Sequence, residues 1–243
     1  MITFFTRIPV GVPDYTVHLF AKGMKTLPFV GLLIGICLYL VSFLGSFVPE
    51  TIMSFLLVLI YCLITGTLFF DGVADTCDGI FSGADKEDML EMMRENRIRT
   101  FGVLGVILLI LCYFVFFQEV SQIALLLMPV MGKSAMVIAS FRAKTAKKSG
   151  LGYGFISRIG STEVIWALLV PVLLCAALEP ICLFAMLVTF SVAFGIREGL
   201  ERWLGGLTGD TITFVCEVSQ AVFLISLFFI NILADIIPTN VIG

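Results

Sequence analysis

The chain has 243 residues, of which 59% are hydrophobic and 14% charged, with a net charge of −3. Soluble domains average about 45–50% apolar and about 25% charged residues, so this composition excludes an ordinary soluble domain and is typical of a membrane protein. The slightly negative charge gives no electrostatic basis for binding nucleic acid. We expect a single membrane-embedded domain over residues 1–243.

The N-terminal residues carry several charges and lack the apolar core of a cleavable signal. The stretch FFTRIPV at 4–10 is expected to lie at the membrane surface, as is the single histidine, His18. Of the seven cysteines, all but Cys77 lie in apolar runs, and no Cys-x-x-Cys occurs. They are predicted to be buried thiols, and with one histidine the chain cannot make a zinc site based on histidines.

Long apolar segments follow, and a bilayer core of ~30 Å needs about 20 such residues per helix. The sequence therefore predicts an all-α, polytopic bundle of about seven transmembrane helices. Their expected bounds are 27–48, 52–70, 102–118, 121–140, 163–179, 181–197 and 213–234.

The basic residues fall on one side of this map. Every Lys and Arg except Lys133 lies in the N-terminal segment or between predicted helices two and three, four and five, or six and seven. The positive-inside rule then predicts a cytoplasmic N-terminus and an external C-terminus. Lys133 lies inside the fourth predicted helix, where an ionisable group usually faces the bundle interior with a partner. Both a purely structural pairing and a role at a polar cavity are compatible with that position.

The stretch FFDGVADTCDGIFSG at 69–83 places Asp71, Asp75 and Asp78 at i, i+4 and i+7. If the second helix continues through residue 78, these carboxylates share one face, within about 60°. Like charges at this spacing destabilise a helix, and a bridging cation removes the repulsion. Oxygen ligands favour Mg²⁺, Mn²⁺ or Ca²⁺ over zinc, and Mg²⁺ completes its shell with water and phosphate. The pattern favours metal-dependent phosphate chemistry at the membrane surface over a solvated acidic helix end.

A short amphipathic cytoplasmic helix is predicted near 85–97, with acidic residues at its start and Arg94, Arg97 and Arg99 at its end. Arginine suits bidentate phosphate contact, although these residues also fit a simple positive-inside flank.

The stretch ERWLGGLTGDTITFVCEV at 201–218 is predicted to form a tight glycine loop that opens into the last helix. Thr208 and Gly209 precede N–H groups that favour anions. Asp210 would repel a phosphate unless a metal lay between them. Glu217 follows seven residues later, on the same face and inside the membrane. The available cation for both acids is Lys133, so we hypothesise that Lys133 pairs with them.

These residues resemble the cobalamin synthase (adenosylcobinamide-GDP ribazoletransferase) family over nearly the whole chain. The resemblance is carried, in order, by FFTRIPV, DGVADTCDGIFS with MLEMMRENRIRTFG, KKSGLGYGF and GGLTGDTITFVCEV. Two departures occur: family members often have His where this chain has Phe69, and their D-S-R-x-G is here Glu95-Asn96-Arg97-Ile98-Arg99.

The resemblance implies a multi-pass enzyme of the bacterial or archaeal cytoplasmic membrane, with a cytoplasmic active site that requires Mg²⁺. It implies transfer of adenosylcobinamide-phosphate from adenosylcobinamide-GDP to α-ribazole or its 5′-phosphate, with release of GMP. The expected catalytic and metal-binding residues are Asp71, Asp75, Asp78 and Asp210. The expected substrate-binding residues are Arg7, Arg94, Arg97, Lys133, Thr208, Gly209 and Glu217. Assembly into a homo-oligomer is left open.

Two other functional interpretations of these motifs compete with this one. A CDP-alcohol phosphotransferase also places aspartates on helices at the membrane surface, but its motif has different spacing and an arginine that is missing from DGVADTCDG. A cation-coupled transporter would use Lys133, Asp210 and Glu217 as a relay inside the membrane. Transporters often show internal repeats, and the chain shows no convincing one.

Overall fold

The computed structural model describes residues 1–10, 23–66, 68–95 and 97–236. His18, Lys22 and the segment after 236 lie outside these residues. The described residues form eleven α-helices and no strand. The helices are α1 Ile2–Phe5, α2 Leu27–Ser42, α3 Glu50–Thr65, α4 Leu68–Ile80, α5 Lys86–Met92, α6 Thr100–Glu119, α7 Gln122–Ser140, α8 Leu151–Ile156, α9 Ser161–Leu178, α10 Cys182–Leu204 and α11 Gly209–Ile236.

Six helical segments among the described residues are long and apolar enough to cross a membrane, and the pair α3 and α4 makes a seventh if counted as one broken span. The six are Met24–Ser46, Thr100–Glu119, Gln122–Ser140, Ser161–Leu178, Cys182–Leu204 and Gly209–Ala234. The predicted all-helical, multi-pass membrane bundle is therefore confirmed. The sixth predicted helix ends later than expected, at Leu204 instead of 197, because the charged residues after 197 continue the helix until Gly205, which ends it in a left-handed conformation.

The second predicted helix is not continuous, which corrects the expectation that it runs through residue 78. It ends at Thr65, and α4 starts afresh at Leu68 with its axis turned by 93°. Gly66 ends α3 with φ 71°, a backbone conformation that glycine adopts without strain, and its N–H bonds to the Cys62 carbonyl. The predicted amphipathic helix at 85–97 is also shorter, since α5 covers only Lys86–Met92.

Helix α7 is the centre of the bundle. Within its apolar window 83% of residues are buried inside the protein, against 22% in α6 and in α9, whose remaining apolar side chains face outward as a lipid-exposed surface would. Helix α2 packs against α7 backbone to backbone. A Cβ atom on Gly31 would lie 2.8 Å from the Pro129 carbonyl carbon, and one on Gly35 would collide with the Leu126 carbonyl. Small residues allow this close approach, which is the usual basis of helix association in membranes.

We predict that Gly35→Ala destabilises the protein, because the new methyl group forces α2 away from α7. Overpacking typically costs about 1–3 kcal/mol, which corresponds to a melting temperature lower by about 2–4 °C per kcal/mol for a chain of this size. Gly195→Ala in α10 is the matched control, since a Cβ atom there meets open space. Thermal unfolding in detergent should show the control unchanged or more stable. Equal melting temperatures for the two variants would contradict the close α2–α7 contact.

A polar cluster lies inside the bundle between α3, α6 and α11. The Glu217 carboxylate, fully buried, accepts hydrogen bonds from the Tyr61 hydroxyl at 2.6 Å, the Tyr113 hydroxyl at 2.7 Å and the Gln220 amide at 3.0 Å. Three donors converging on one carboxylate supply what water would supply outside, so the cost of burying the group is offset.

Lys133 is also fully buried, but its nearest contacts are not the predicted ones. Its Nζ lies 3.2 Å from Cys216 Sγ and 3.6 Å from the centre of the Phe69 ring. The described residues show no ion pair between Lys133 and Asp210 or Glu217. The hypothesised pairing is therefore wrong as a direct contact, because Cys216 and Phe69 occupy the positions next to the ammonium group. Lys133 and Glu217 attract each other at longer range.

We predict that Lys133→Met destabilises the bundle, because it removes the positive charge that acts on buried Glu217. Because the two groups are not in contact, the loss should be smaller than the about 3–5 kcal/mol that breaking a contacting buried pair costs, and removing both charges should cost less still. The double variant Lys133→Met/Glu217→Gln should therefore melt at a higher temperature than Lys133→Met alone. Additive losses in the two single variants and the double variant would show that the charges do not act on each other.

Candidate functional site

Helix α4 lies across the starts of α6 and α11. Near its first turn, a Cβ atom on Gly72 would collide with the Thr213 hydroxyl and lie 2.8 Å from the Asp210 carbonyl oxygen. Near its end, Asp78 accepts hydrogen bonds from the Arg99 N–H at 2.6 Å and the Gly102 N–H at 2.7 Å. The aspartates of α4 are thus placed where two spanning helices begin, at one end of the bundle.

The three aspartates of α4 differ in exposure. Asp71 is exposed, Asp75 is half-buried and Asp78 is 4% exposed. Both oxygens of Asp78 are engaged with backbone N–H groups of the α6 start, so its carboxylate acts as the cap that this helix does not receive from Arg99. Asp71 and Asp75 keep the face that is open to a ligand.

A second contact between distant segments brings the loop before α8 to the start of α11. Leu207 pairs with the segment 144–146 through two backbone hydrogen bonds, from its N–H to Lys144 and from the Ala146 N–H to its carbonyl, at 2.8 and 3.0 Å. Gly206 makes this possible, because a Cβ atom there would lie 2.5 Å from the Ala146 nitrogen. The pairing places Lys147 beside Asp210, with Nζ 3.9 Å from the Asp210 carboxylate.

The loop around Thr208 and Gly209, which was predicted to bind an anion, is held largely by hydrogen bonds between its own residues. The Thr208 hydroxyl accepts from the Thr211 N–H at 3.2 Å, and the Thr211 hydroxyl accepts from the Thr208 N–H at 2.7 Å. Gly209 packs against Gly152 of α8 so closely that a Cβ atom on Gly152 would lie 2.7 Å from the Gly209 Cα. The N–H groups of Gly209 and Asp210 belong to the first turn of α11, where backbone donors have no partner within the helix.

A cavity of about 280 Å³ opens at this point. Its polar end holds Asp210, Lys147 and Thr208, and its walls come from α1, α4, α7, α8 and the start of α11. The charge of Asp75 interacts with the like charges of Asp210, Asp71 and Asp78 and with the opposite charge of Lys147. Asp210 lines the cavity, and the α4 aspartates, which lie outside its lining, are close enough to interact with the Asp210 charge.

The donor chemistry of this group fits a hard divalent cation. Asp71, Asp75 and Asp210 offer carboxylate oxygens, and no His or Cys competes at the cavity. Across the described residues, however, no three His, Cys, Asp or Glu side chains converge into a group that could hold a metal ion. Mg²⁺ is commonly bound by one or two carboxylates with water and substrate phosphate, so a preformed cluster of three ligands is not required.

Other residues predicted to bind substrate lie away from the cavity lining. Arg7 is exposed at the break between α3 and α4, where its side chain packs on Gly66. Arg94 is exposed in a groove after α5 among acidic side chains, and Arg97 is exposed just beyond it. Lys133 and Glu217 lie inside the bundle and do not line the cavity.

Lys147 is a site residue that the sequence motifs do not predict. From the sequence alone it is one of several basic residues expected on one side of the membrane. The signal for its role was present in KKSGLGYGF, where a lysine precedes a glycine-rich turn, yet its partner Asp210 lies 63 positions later in the sequence. The contribution of α1 to the cavity wall is not predicted either, because no local sequence pattern connects Phe4 and Phe5 to the aspartates.

Comparison with known proteins identifies the family of this chain. The sequence matches the family model described as cobalamin-5-phosphate synthase over residues 1–228. The protein named adenosylcobinamide-GDP ribazoletransferase from Alkaliphilus oremlandii is 39% identical over 95% of this chain and 96% of its own length. Proteins of the same name from Clostridium novyi and Acetivibrio thermocellus are 34% and 36% identical, each over 93% of this chain and 94% of their own length.

No solved structure matches the chain significantly. The resemblance expected from the four sequence motifs is confirmed, because the matches extend over the motifs and the helices between them. The chain therefore belongs to the cobalamin-5-phosphate synthase family.

Proposed function

We propose that this protein is an adenosylcobinamide-GDP ribazoletransferase. It transfers the adenosylcobinamide-phosphate group of adenosylcobinamide-GDP to α-ribazole or α-ribazole 5′-phosphate and releases GMP, a late step of cobalamin synthesis. The observation that carries the proposal is that Asp210 and Lys147 lie side by side in the lining of one cavity, with Asp75 close enough for its charge to interact with both, in a chain of this family.

The polar groups at the cavity mouth suit a diphosphate. Lys147 offers a partly exposed ammonium group, held only loosely by Asp210 at 3.9 Å. The first-turn N–H groups of Gly209 and Asp210 add donors and the positive end of the helix dipole. Together they neutralise and orient phosphate oxygens, which is the main contribution that an enzyme makes to phosphoryl transfer.

The reaction breaks the phosphoanhydride bond of the donor and forms a phosphodiester with the acceptor. The ribose 3′-hydroxyl of the acceptor attacks the phosphorus nearest to cobinamide, so a new O–P bond forms while the bond to the bridging oxygen breaks. GMP leaves with the electron pair of that bond, and the hydroxyl proton passes to a carboxylate. Asp75 is the proposed proton acceptor, because it is half-buried at the centre of the acidic group.

Asp71 and Asp210 are the residues that would hold Mg²⁺, which leaves Asp75 free to take the proton. The bound ion would supply charge neutralisation on the diphosphate and on the leaving phosphate oxygens. Asp78 contributes indirectly, by fixing α4 to the start of α6. We also propose that this end of the bundle faces the cytoplasm of a bacterial or archaeal cell, since nearly all basic residues lie on that side of the predicted topology.

The first prediction from this function concerns the reaction itself. Detergent-purified protein should release GMP only when adenosylcobinamide-GDP, α-ribazole 5′-phosphate and Mg²⁺ are all present, as measured by chromatography of the nucleotides. Chelation of the metal should abolish release. Release of GMP from adenosylcobinamide-GDP alone would instead indicate a hydrolase. If folded protein released no GMP under any condition, the result would favour the transporter interpretation.

The second prediction separates the site from the remaining acidic surface. Asp210→Asn and Asp75→Asn should each lower kcat by about 100-fold or more, because each removes a charge that acts directly at the diphosphate. Their melting temperatures should stay close to that of the wild type. Asp88→Asn, on the exposed face of α5, is the matched control and should retain full activity. Retained activity in Asp210→Asn would remove this residue from the site.

The third prediction concerns Asp78, whose role is positional. Asp78→Ala should lower the free energy of unfolding by about 1–3 kcal/mol, since it leaves the N–H groups of Arg99 and Gly102 without their acceptor. Asp78→Asn keeps one acceptor oxygen and should recover part of this stability. Stability unchanged in Asp78→Ala would show that the α4–α6 contact does not depend on this carboxylate.

A further inference from the structure

A nearly buried ion pair lies in the last turns of α10, away from the cavity. Arg197 and Glu201 are four residues apart, with Nε 3.2 Å from Oε1, and their side chains are only 12% and 13% exposed. Neither residue lines the cavity. A pair within one helix needs no further partner, yet both side chains also bond to the connection between α7 and α8. That second set of bonds has no role in the reaction as described so far.

Arg197 stabilises the turn that follows α7. Its guanidinium donates to the Phe141 carbonyl at 2.9 Å and to the Arg142 carbonyl at 3.2 Å. Carbonyl groups at the end of a helix have no partner within it and lie at the negative end of its dipole. Arg142 has φ 55°, a left-handed conformation that is unfavourable for a residue with a side chain. The guanidinium therefore holds a turn that the backbone alone disfavours.

Glu201 holds the residues that come next. The carboxylate oxygen that accepts from Arg197 Nε also accepts from the Lys144 N–H, at 2.9 Å. The Lys144 carbonyl in turn accepts from the Leu207 N–H at 2.8 Å. The backbone of Lys144 is thus fixed on both sides, by α10 and by the loop before α11.

Lys147 follows this fixed backbone by three residues and has little support of its own. Its ammonium group lies 3.9 Å from the Asp210 carboxylate and is partly exposed. A lysine side chain is flexible and loses rotamer freedom when it is held in one place. A contact at that distance does not determine where the ammonium group lies, so the position of the backbone before Lys147 decides how the charge meets a ligand at the cavity.

We infer that Arg197 and Glu201 are positioning residues, which fix segment 144–146 and thereby place Lys147 against the diphosphate of the donor. The inference rests on the proposed function and adds to it two residues that act through Lys147 without touching a substrate. Misplacement of a catalytic group by about 1 Å can cost on the order of 100-fold in rate, so a contact outside the cavity can control the reaction within it.

A double-mutant cycle with Lys147 tests this action, with kcat for GMP release as the measurement. Lys147→Met should lower kcat by about 100-fold, because the phosphate loses its cation. Glu201→Ala should lower it by about tenfold, because the cation remains but is misplaced. The double variant should be no more than about twofold slower than Lys147→Met alone, since Glu201 has nothing left to position. Independent losses would multiply to about 1,000-fold and overturn the inference.

Two further variants isolate the hydrogen bond from Lys144. Glu201→Gln keeps an oxygen that can accept from the Lys144 N–H, so it should retain about half of the wild-type kcat or more. Glu198→Ala lies in the same turn of α10, and Glu198 makes no ion pair among the described residues, so this matched control should retain full activity. Equal losses in Glu201→Gln and Glu201→Ala would contradict positioning through this bond.

Hydrogen exchange followed by mass spectrometry tests the positioning apart from the reaction. In Glu201→Ala, peptides covering 144–147 and 205–208 should exchange about tenfold faster or more than in wild type, because the bonds between Lys144 and Leu207 open more often. Peptides from the contact between α2 and α7 should exchange as in wild type. Unchanged exchange at 144–147, or an equal increase throughout the chain, overturns the inference.

The outcomes distinguish the two proposals. Release of GMP by wild type, combined with multiplied losses in the double variant, overturns the inference and leaves the proposed function standing. Absence of GMP from folded wild type under any condition overturns the proposed function. Hydrogen exchange then decides by itself whether Glu201 fixes segment 144–147.

Discussion

Two backbone N–H groups at the start of α6 donate to one buried side chain, the carboxylate of Asp78, and the site depends on that contact. A carboxylate at 4% exposure is costly unless its oxygens are satisfied, and the bonds at 2.6 and 2.7 Å satisfy both. The same charge lies at the positive end of the α6 dipole. Asp78 fixes the end of α4 and the close contact at Gly72 fixes its beginning against α11, so the helix that carries Asp71 and Asp75 is held next to the residue Asp210.

The polar groups buried inside the bundle differ from Asp210 and Lys147 at the cavity in their access to a ligand. Glu217 accepts from three donors and Lys133 lies between a thiol and the Phe69 ring, and because both groups are fully buried neither is open to a ligand. At the mouth, Asp210 and Lys147 hold each other only at 3.9 Å and stay open to an incoming phosphate. Buried polar groups with hydrogen-bond partners inside the bundle hold the helices together, whereas the polar groups at the cavity are available for chemistry. Phe69, a departure from the family pattern, therefore belongs to the interior.

Much of the fold could be predicted from sequence because apolar length and basic asymmetry are local properties that a bilayer enforces residue by residue. The aspartate face of α4 and the Gly209–Asp210 loop were identified for the same reason, as short motifs with their own chemistry. The break at Gly66 was accessible in principle, since glycine after an apolar helix is a common stop. Lys147 as the neighbour of Asp210, and Cys216 and Phe69 as the neighbours of Lys133, depend on packing between distant segments, which no local pattern encodes.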